Sequence, residues 1–208
     1  MPFTSWPFDP IFAGNLIAIA GAAASGALLA AERRFDVVGA LFLAIAVGVG
    51  GGTLVDLLIG RTPVRWLVDP YATPVAAVTG GLVFFSATYV ARISRALDWL
   101  DAGSLALFTA VGLQYVLNHI ANPITAGMLA ILGACGGGII RDTLANRDPI
   151  VFGGELYVTA VASGVFAYYG VIIAGFAPIW AFAVCIVVTF VIRSLAMLFS
   201  LRLTPGTL

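Results

Sequence analysis

The sequence predicts an all-α integral membrane protein, a single membrane domain (1–208) of seven transmembrane helices built as two inverted three-helix repeats followed by a seventh helix. Three observations carry that prediction. Of 208 residues 61% are apolar and only 10% charged, with a mean hydropathy of +1.07, a composition foreign to a water-soluble globular domain. The apolar residues gather in stretches near the ~20 residues that a bilayer core requires, parted by short polar breaks. The polar residues within and between those stretches recur: a shift of 86 positions lays Gly50-Gly51-Gly52 on Gly136-Gly137-Gly138, Asp56 on Asp142, Arg61 on Arg147, Pro63 on Pro149, Asp69 on Glu155, Tyr71 on Tyr157 and Thr73 on Thr159.

Taken in order, the amino-terminal MPFTSWPFDP has no positive charge ahead of the apolar run and no small-residue cleavage site, so the first span, 11–31, is expected to be retained rather than cleaved as a signal. Glu32-Arg33-Arg34 closes it. The second span runs from 37 to about 60 and the third from 71 to 91. An amphipathic connection, 92–101, leads to a fourth span at 102–118, and Asn122-Pro123 punctuates the chain before a fifth at 124–144. The uncharged run 156–192 is too long for one ordinary span, and 175–178 divides it into the sixth and seventh. Repeat 1 is thus 9–97, repeat 2 is 98–178, and 179–208 holds the seventh helix and tail. Because each repeat contributes an odd number of spans, the second enters the membrane in the opposite sense to the first.

Charge sets the expected orientation. Arg33, Arg34, Arg92, Arg95, Arg141, Arg147 and Arg202 fall on one side and Arg61 and Arg65 on the other. The positive-inside rule then puts the amino terminus outside and the carboxyl terminus in the cytoplasm of a cell (inner) membrane. Arg193, inside the last span, is expected to snorkel to the cytoplasmic surface.

Several functions are excluded by what is absent. All ten cations are arginine, which removes Schiff-base and Walker-type lysine chemistry. Ten acids balance them, leaving no electrostatic call for nucleic acid, and loops this short imply no soluble partner. Cys135 and Cys185 lack metal or redox spacing and read as buried thiols. The lone histidine, His119, reads as a hydrogen-bonded loop residue. One histidine and two carboxylates in opposite halves assemble no catalytic constellation, so an enzyme is not expected.

The glycine triplets carry the functional expectation. Three consecutive glycines cost a helix about 3 kcal/mol relative to alanine. Small residues also serve close helix packing, but an intramembrane aspartate four positions after the triplet in both halves predicts helices broken there, with exposed carbonyls beside a polar path. An ionised carboxylate facing lipid costs at least ~2.5 kcal/mol, so Asp56 and Asp142 should face protein or water. Either they line a pathway or they anchor locally, Asp56 to Arg61 and Asp142 to Arg141 or Arg147. Tyr71 and Tyr157 open two equivalent spans, as interfacial aromatics or as gates, with Thr73 and Thr159 in the same register.

With the two GGG-x-x-x-D elements in view, the sequence resembles the prokaryotic members of the trimeric intracellular cation (TRIC) channel family, and equally the overlapping bacterial family named for glycine-transporter domains, over essentially the whole chain. Gly136-Gly137-Gly138-Ile139-Ile140-Arg141-Asp142 fits the bacterial form, GGG-x-x-RD. The first copy departs from it, with Val55 where that branch commonly has arginine. The resemblance implies a homotrimer with one ion pathway per protomer, bounded by the kinked second and fifth helices. The animal channels pass potassium as counter-ion during calcium release; without lysine, this chain has no lysine-based voltage or lipid sensor of that kind. The expectation is a potassium channel without cofactor, its ligands being the transported K+ or Na+ and bound lipid. The residues alone leave a secondary transporter of a small zwitterion such as glycine equally open.

Overall fold

The computed structural model describes residues 10–87, 93–153 and 156–201. Among these the chain is helical: α1 (Pro10–Glu32), α2 (Val37–Leu58), a short α3 (Arg65–Val68), α4 (Ala72–Ser86), α5 (Ile93–Leu117), α6 (Pro123–Leu144), α7 (Val158–Ile173) and α8 (Pro178–Phe199), with a 3-10 turn at Ile150–Phe152. Among the described residues five helices are long and apolar enough to cross a membrane. The two shorter apolar ones, α4 and α7, stand third in their repeats. Helix α5 begins earlier than expected, turning most of the connection at 92–101 into helix. Glu155, Arg92 and Arg202 lie outside the described residues.

The repeat is visible in how the helices start and stop. The Asp36 side chain caps α2 by accepting from the Gly39 N–H at 2.7 Å, and Asn122 caps α6 by accepting from Ile124 and Thr125, with Pro123 in the first turn. Both helices end in a left-handed residue, Gly60 and Asn146, while the N–H of Arg61 bonds the Asp56 carbonyl and that of Arg147 the Asp142 carbonyl, each at 2.8 Å. Gly175, at φ +83°, ends α7, and Pro178 opens α8, which is how the long apolar run is divided.

The first two helices of each repeat pack against their counterparts, α1 on α5 and α2 on α6, while α4 packs on α1 and α2, and α8 lies on α5 and α7 of the second repeat. The helices around the triplets differ from expectation. Both α2 and α6 run through Gly50 to Gly52 and Gly136 to Gly138 as unbroken α-helix. The glycines act by size: a Cβ on Gly51 would collide with the Gly133 carbonyl, and one on Gly137 would sit 2.7 Å from the Val47 carbonyl. Such contact between backbones compensates the lost helix propensity, so no break follows. Small residues of the third helices serve the same end within the protomer, a Cβ on Gly80 lying 2.5 Å from the Ala44 methyl, and one on Gly164 meeting Thr189.

Candidate functional site

Two polar clusters lie at the carboxyl ends of α2 and α6, where the inverted repeat puts Asp56 and Asp142 at opposite ends of the helix pair. At the first, Asp56 is fully buried yet fully engaged. It accepts from the Arg65 main-chain N–H at 2.7 Å, from Arg65 Nε at 3.0 Å and from the Tyr115 hydroxyl at 2.9 Å. Its partner is therefore Arg65, not the expected Arg61, because the turn from Gly60 to Val64 swings α3 back over the end of α2. Arg61 donates instead to the Tyr115 hydroxyl at 2.6 Å, and the Arg65 guanidinium stacks 3.6 Å from the centre of the Tyr115 ring.

Beside this cluster a cavity of about 350 Å³ is lined by Phe12, Asn15, Gly52, Asp56, Arg61, Arg65, Asp69 and Tyr71 among mostly apolar side chains. A Cβ on Gly52 would stand 3.1 Å from Arg65 Nη2, the end of a flexible side chain. Its counterpart at the other end, bordered by Ser25, Asp101, Ser104, Gly138 and Tyr157, measures only about 10 Å³, near the smallest space that holds one water.

What fills that second end is a buried charge cluster. Arg141, wholly shielded from solvent, donates from Nε to Asp142 Oδ1 at 2.8 Å and from Nη1 to Asp101 Oδ1 at 2.6 Å, with Ser25 at 3.2 Å. Asp142 Oδ2 also accepts from the Ile150 N–H at 3.2 Å, and the Tyr157 hydroxyl donates to Asp101 Oδ1 at 3.3 Å. A buried ion pair is expensive to desolvate; here Arg141 answers two carboxylates at once, while its Nη2 and Asp101 Oδ2 have no hydrogen-bond partner among the described residues. Gly138 leaves room for this, since a Cβ on it would lie 2.9 Å from the Tyr157 hydroxyl.

The paired residues are thus brought together within each end but made unequal between them. Tyr71 is 42% exposed in the open cavity while Tyr157 is 2% exposed in the closed one. Gly50, Gly51, Gly136 and Gly137 lie at the α2–α6 crossing between the ends. Thr73 and Thr159 line neither cavity. Arg193 does not snorkel: it is 1% exposed, its guanidinium 5.0 Å from the centre of the Tyr157 ring. The Tyr157 ring face takes the place of water beside the guanidinium. His119 is the expected hydrogen-bonded loop residue, Nδ1 2.9 Å from the Tyr115 carbonyl. Asp101, Tyr115 and Arg65 escaped the sequence reading. For Asp101 a signal existed, because the 86-residue shift lays it on Asn15, a polar residue at the same place in the other first helix.

Inverted repeats meeting at a glycine crossing, with a polar cluster at each end, define a multi-pass membrane protein of the kind that moves small solutes. A sequence profile described as glycine transporter matches residues 12–88 and 98–173, once over each repeat. The UPF0126 inner membrane protein YadS of Escherichia coli is 37% identical over 151 residues, 72% of this chain and 73% of its own. A UPF0126 membrane protein of Deinococcus radiodurans is 38% identical over 152 residues, 72% and 71% of the two chains. The TRIC trimeric intracellular cation channel orthologue from Rhodobacter sphaeroides superposes with a TM-score of 0.88 at 30% identity, over 92% of this chain and 98% of its own. A prokaryotic TRIC channel crystallised in 0.5 M KCl gives 0.86 at 26% identity, over 93% and 98%. The chain belongs to the prokaryotic TRIC channel family, which overlaps the glycine-transporter family, and those relatives of solved structure are channels rather than enzymes.

Proposed function

We propose that this protein is a monovalent cation channel passing potassium, with one pathway in each protomer of a homotrimer in the inner membrane, amino terminus outside. The observation that carries the reading is the pairing of a cavity of about 350 Å³ lined by Asp56 with one of only about 10 Å³ lined by Asp101, on either side of the α2–α6 crossing. The solved relatives, named as cation channels, support it. The pathway follows the cavity past Gly52 to the crossing and on to Gly138, where the Arg141 cluster closes it in this conformation. Neither cofactor nor resident metal enters the reading.

A second reading, uptake of a small zwitterion such as glycine, draws support from one feature: the open cavity offers two guanidinium groups as well as two carboxylates, Arg61 and Arg65 beside Asp56 and Asp69, a set that meets a carboxylate and an ammonium together. Recording of the purified protein in planar bilayers under asymmetric KCl, set against radiolabelled glycine uptake into liposomes, separates the two. Potassium-selective unitary currents without saturable glycine uptake are expected; uptake without currents overturns the channel. Cross-linking or mass measurement in mild detergent that finds monomer or dimer alone overturns the trimer.

A further inference from the structure

Helix α8 stands outside the repeat and carries one charged side chain, Arg193. Its approach is set by Gly164 on α7, where a Cβ would collide with the Thr189 hydroxyl and lie 3.0 Å from the Cys185 carbonyl. One turn beyond Thr189, Arg193 lays its guanidinium over the Tyr157 ring. The hydroxyl of that ring donates to the same Asp101 oxygen that receives Arg141. At the other end, among the described residues, no guanidinium lies over the Tyr71 ring, which meets Phe12 edge-on at 6.1 Å and stands in the open cavity.

We propose that Arg193 is a positioning residue, the strut through which α8 holds Tyr157 across the closed end and so decides which of two pseudo-equivalent ends is shut. This rests on the reading of the two cavities as halves of one pathway. The sequences of the two repeats differ at the positions that matter, Asn15 against Asp101 and Val55 against Arg141, and α8 adds the remaining inequality. A cation over an aromatic face is strongest when both are desolvated, as they are here.

The test reads access to the closed end by thiol modification in nanodiscs, with Cys135 and Cys185 replaced by alanine and a reporter introduced as Ser104→Cys, in the small cavity, or Gly112→Cys, in the open one. Arg193→Gln should speed reaction of the Ser104→Cys protein with a charged methanethiosulfonate by about threefold to thirtyfold, the span a desolvated contact of this kind supports. The rate of the Gly112→Cys protein should not move. Arg193→Lys, which keeps a cation, should stay within about twofold of the parent. In a Tyr157→Leu background, Arg193→Gln should add nothing, because the ring that carries the contact is gone. Arg193→Met removes the charge without leaving a polar group in the bundle; it must give the same acceleration and serves alone if the glutamine variant does not fold. Parent-like rates in Arg193→Met, equal acceleration by lysine, a matching rise at Gly112→Cys, or additivity with Tyr157→Leu would each overturn the strut. The readout does not depend on what permeates, so a parent without potassium current overturns the channel and leaves this test standing.

Discussion

Gly51 and Gly137 occupy the same position of the two repeats, and each abuts a main-chain carbonyl of the other repeat's helix, Gly133 for the first and Val47 for the second, themselves an equivalent pair. The crossing of α2 and α6 is therefore a two-fold contact of backbone on backbone. Neither neighbour can retreat, since both are main chain.

Substitution at that contact should separate the helices. Gly137→Ala is expected to cost about 1–3 kcal/mol, as overpacking does, read as a fall in the thermal unfolding midpoint in detergent. Gly103→Ala on α5, where a Cβ meets nothing within 4 Å, should instead be neutral or stabilising by roughly 0.5–1 kcal/mol. Equal effects at both positions would refute the crossing.

The Arg141 cluster predicts a large loss followed by recovery. Arg141→Met leaves Asp101 and Asp142 buried without a counter-charge, and about 3–5 kcal/mol of stability should go with it. Adding Asp101→Asn and Asp142→Asn should restore much of that loss, measured by the same unfolding assay. A triple variant no better than the single one would contradict the charge account.

Asp56 and Asp142 should differ in conduction. Asp56 borders an open cavity, so Asp56→Asn should lower potassium conductance, more at low salt than at high, because screening shortens the reach of the charge to about 10 Å at 0.1 M. The reversal potential in a KCl gradient should move towards weaker cation preference. Asp142 is no more buried than Asp56 but lines neither cavity and is paired with Arg141, so Asp142→Asn should show no such salt dependence. The same salt-dependent loss in both variants would mean that the second end opens to solvent during conduction.

Cys135 and Cys185 are 3% and 0% exposed, inside apolar clusters. A maleimide should leave both unmodified in the native protein and label both once detergent unfolds it, counted by intact mass. Rapid native labelling would place a thiol on an accessible path.

Much of this molecule was legible from one dimension. Hydropathy is a local property, and a bilayer demands that each spanning segment satisfy its own backbone, so span positions follow from composition and length. Duplication shows as register, and the odd number of spans per copy makes it inverted. Asp56 and Asp142 stood out because charge in such segments is rare and costly. The sequence could not decide what the glycines do: a triplet lowers helix propensity, but whether the helix breaks depends on the helix across from it, and the carbonyls of Val47 and Gly133 supply the contact that keeps it whole. Nor could it decide the charge partners. Arg65 reaches Asp56 because a turn folds α3 back, Asp101 reaches Arg141 from 40 positions away, and Arg193 points inward because Gly164 lets α8 come close. Spacing along a chain fixes which residues share a helix face, while pairings between helices depend on how those faces meet. Packing turned a few unequal residues, Asp101 and Arg141 against Asn15 and Val55, and the added α8 into one open end and one closed end.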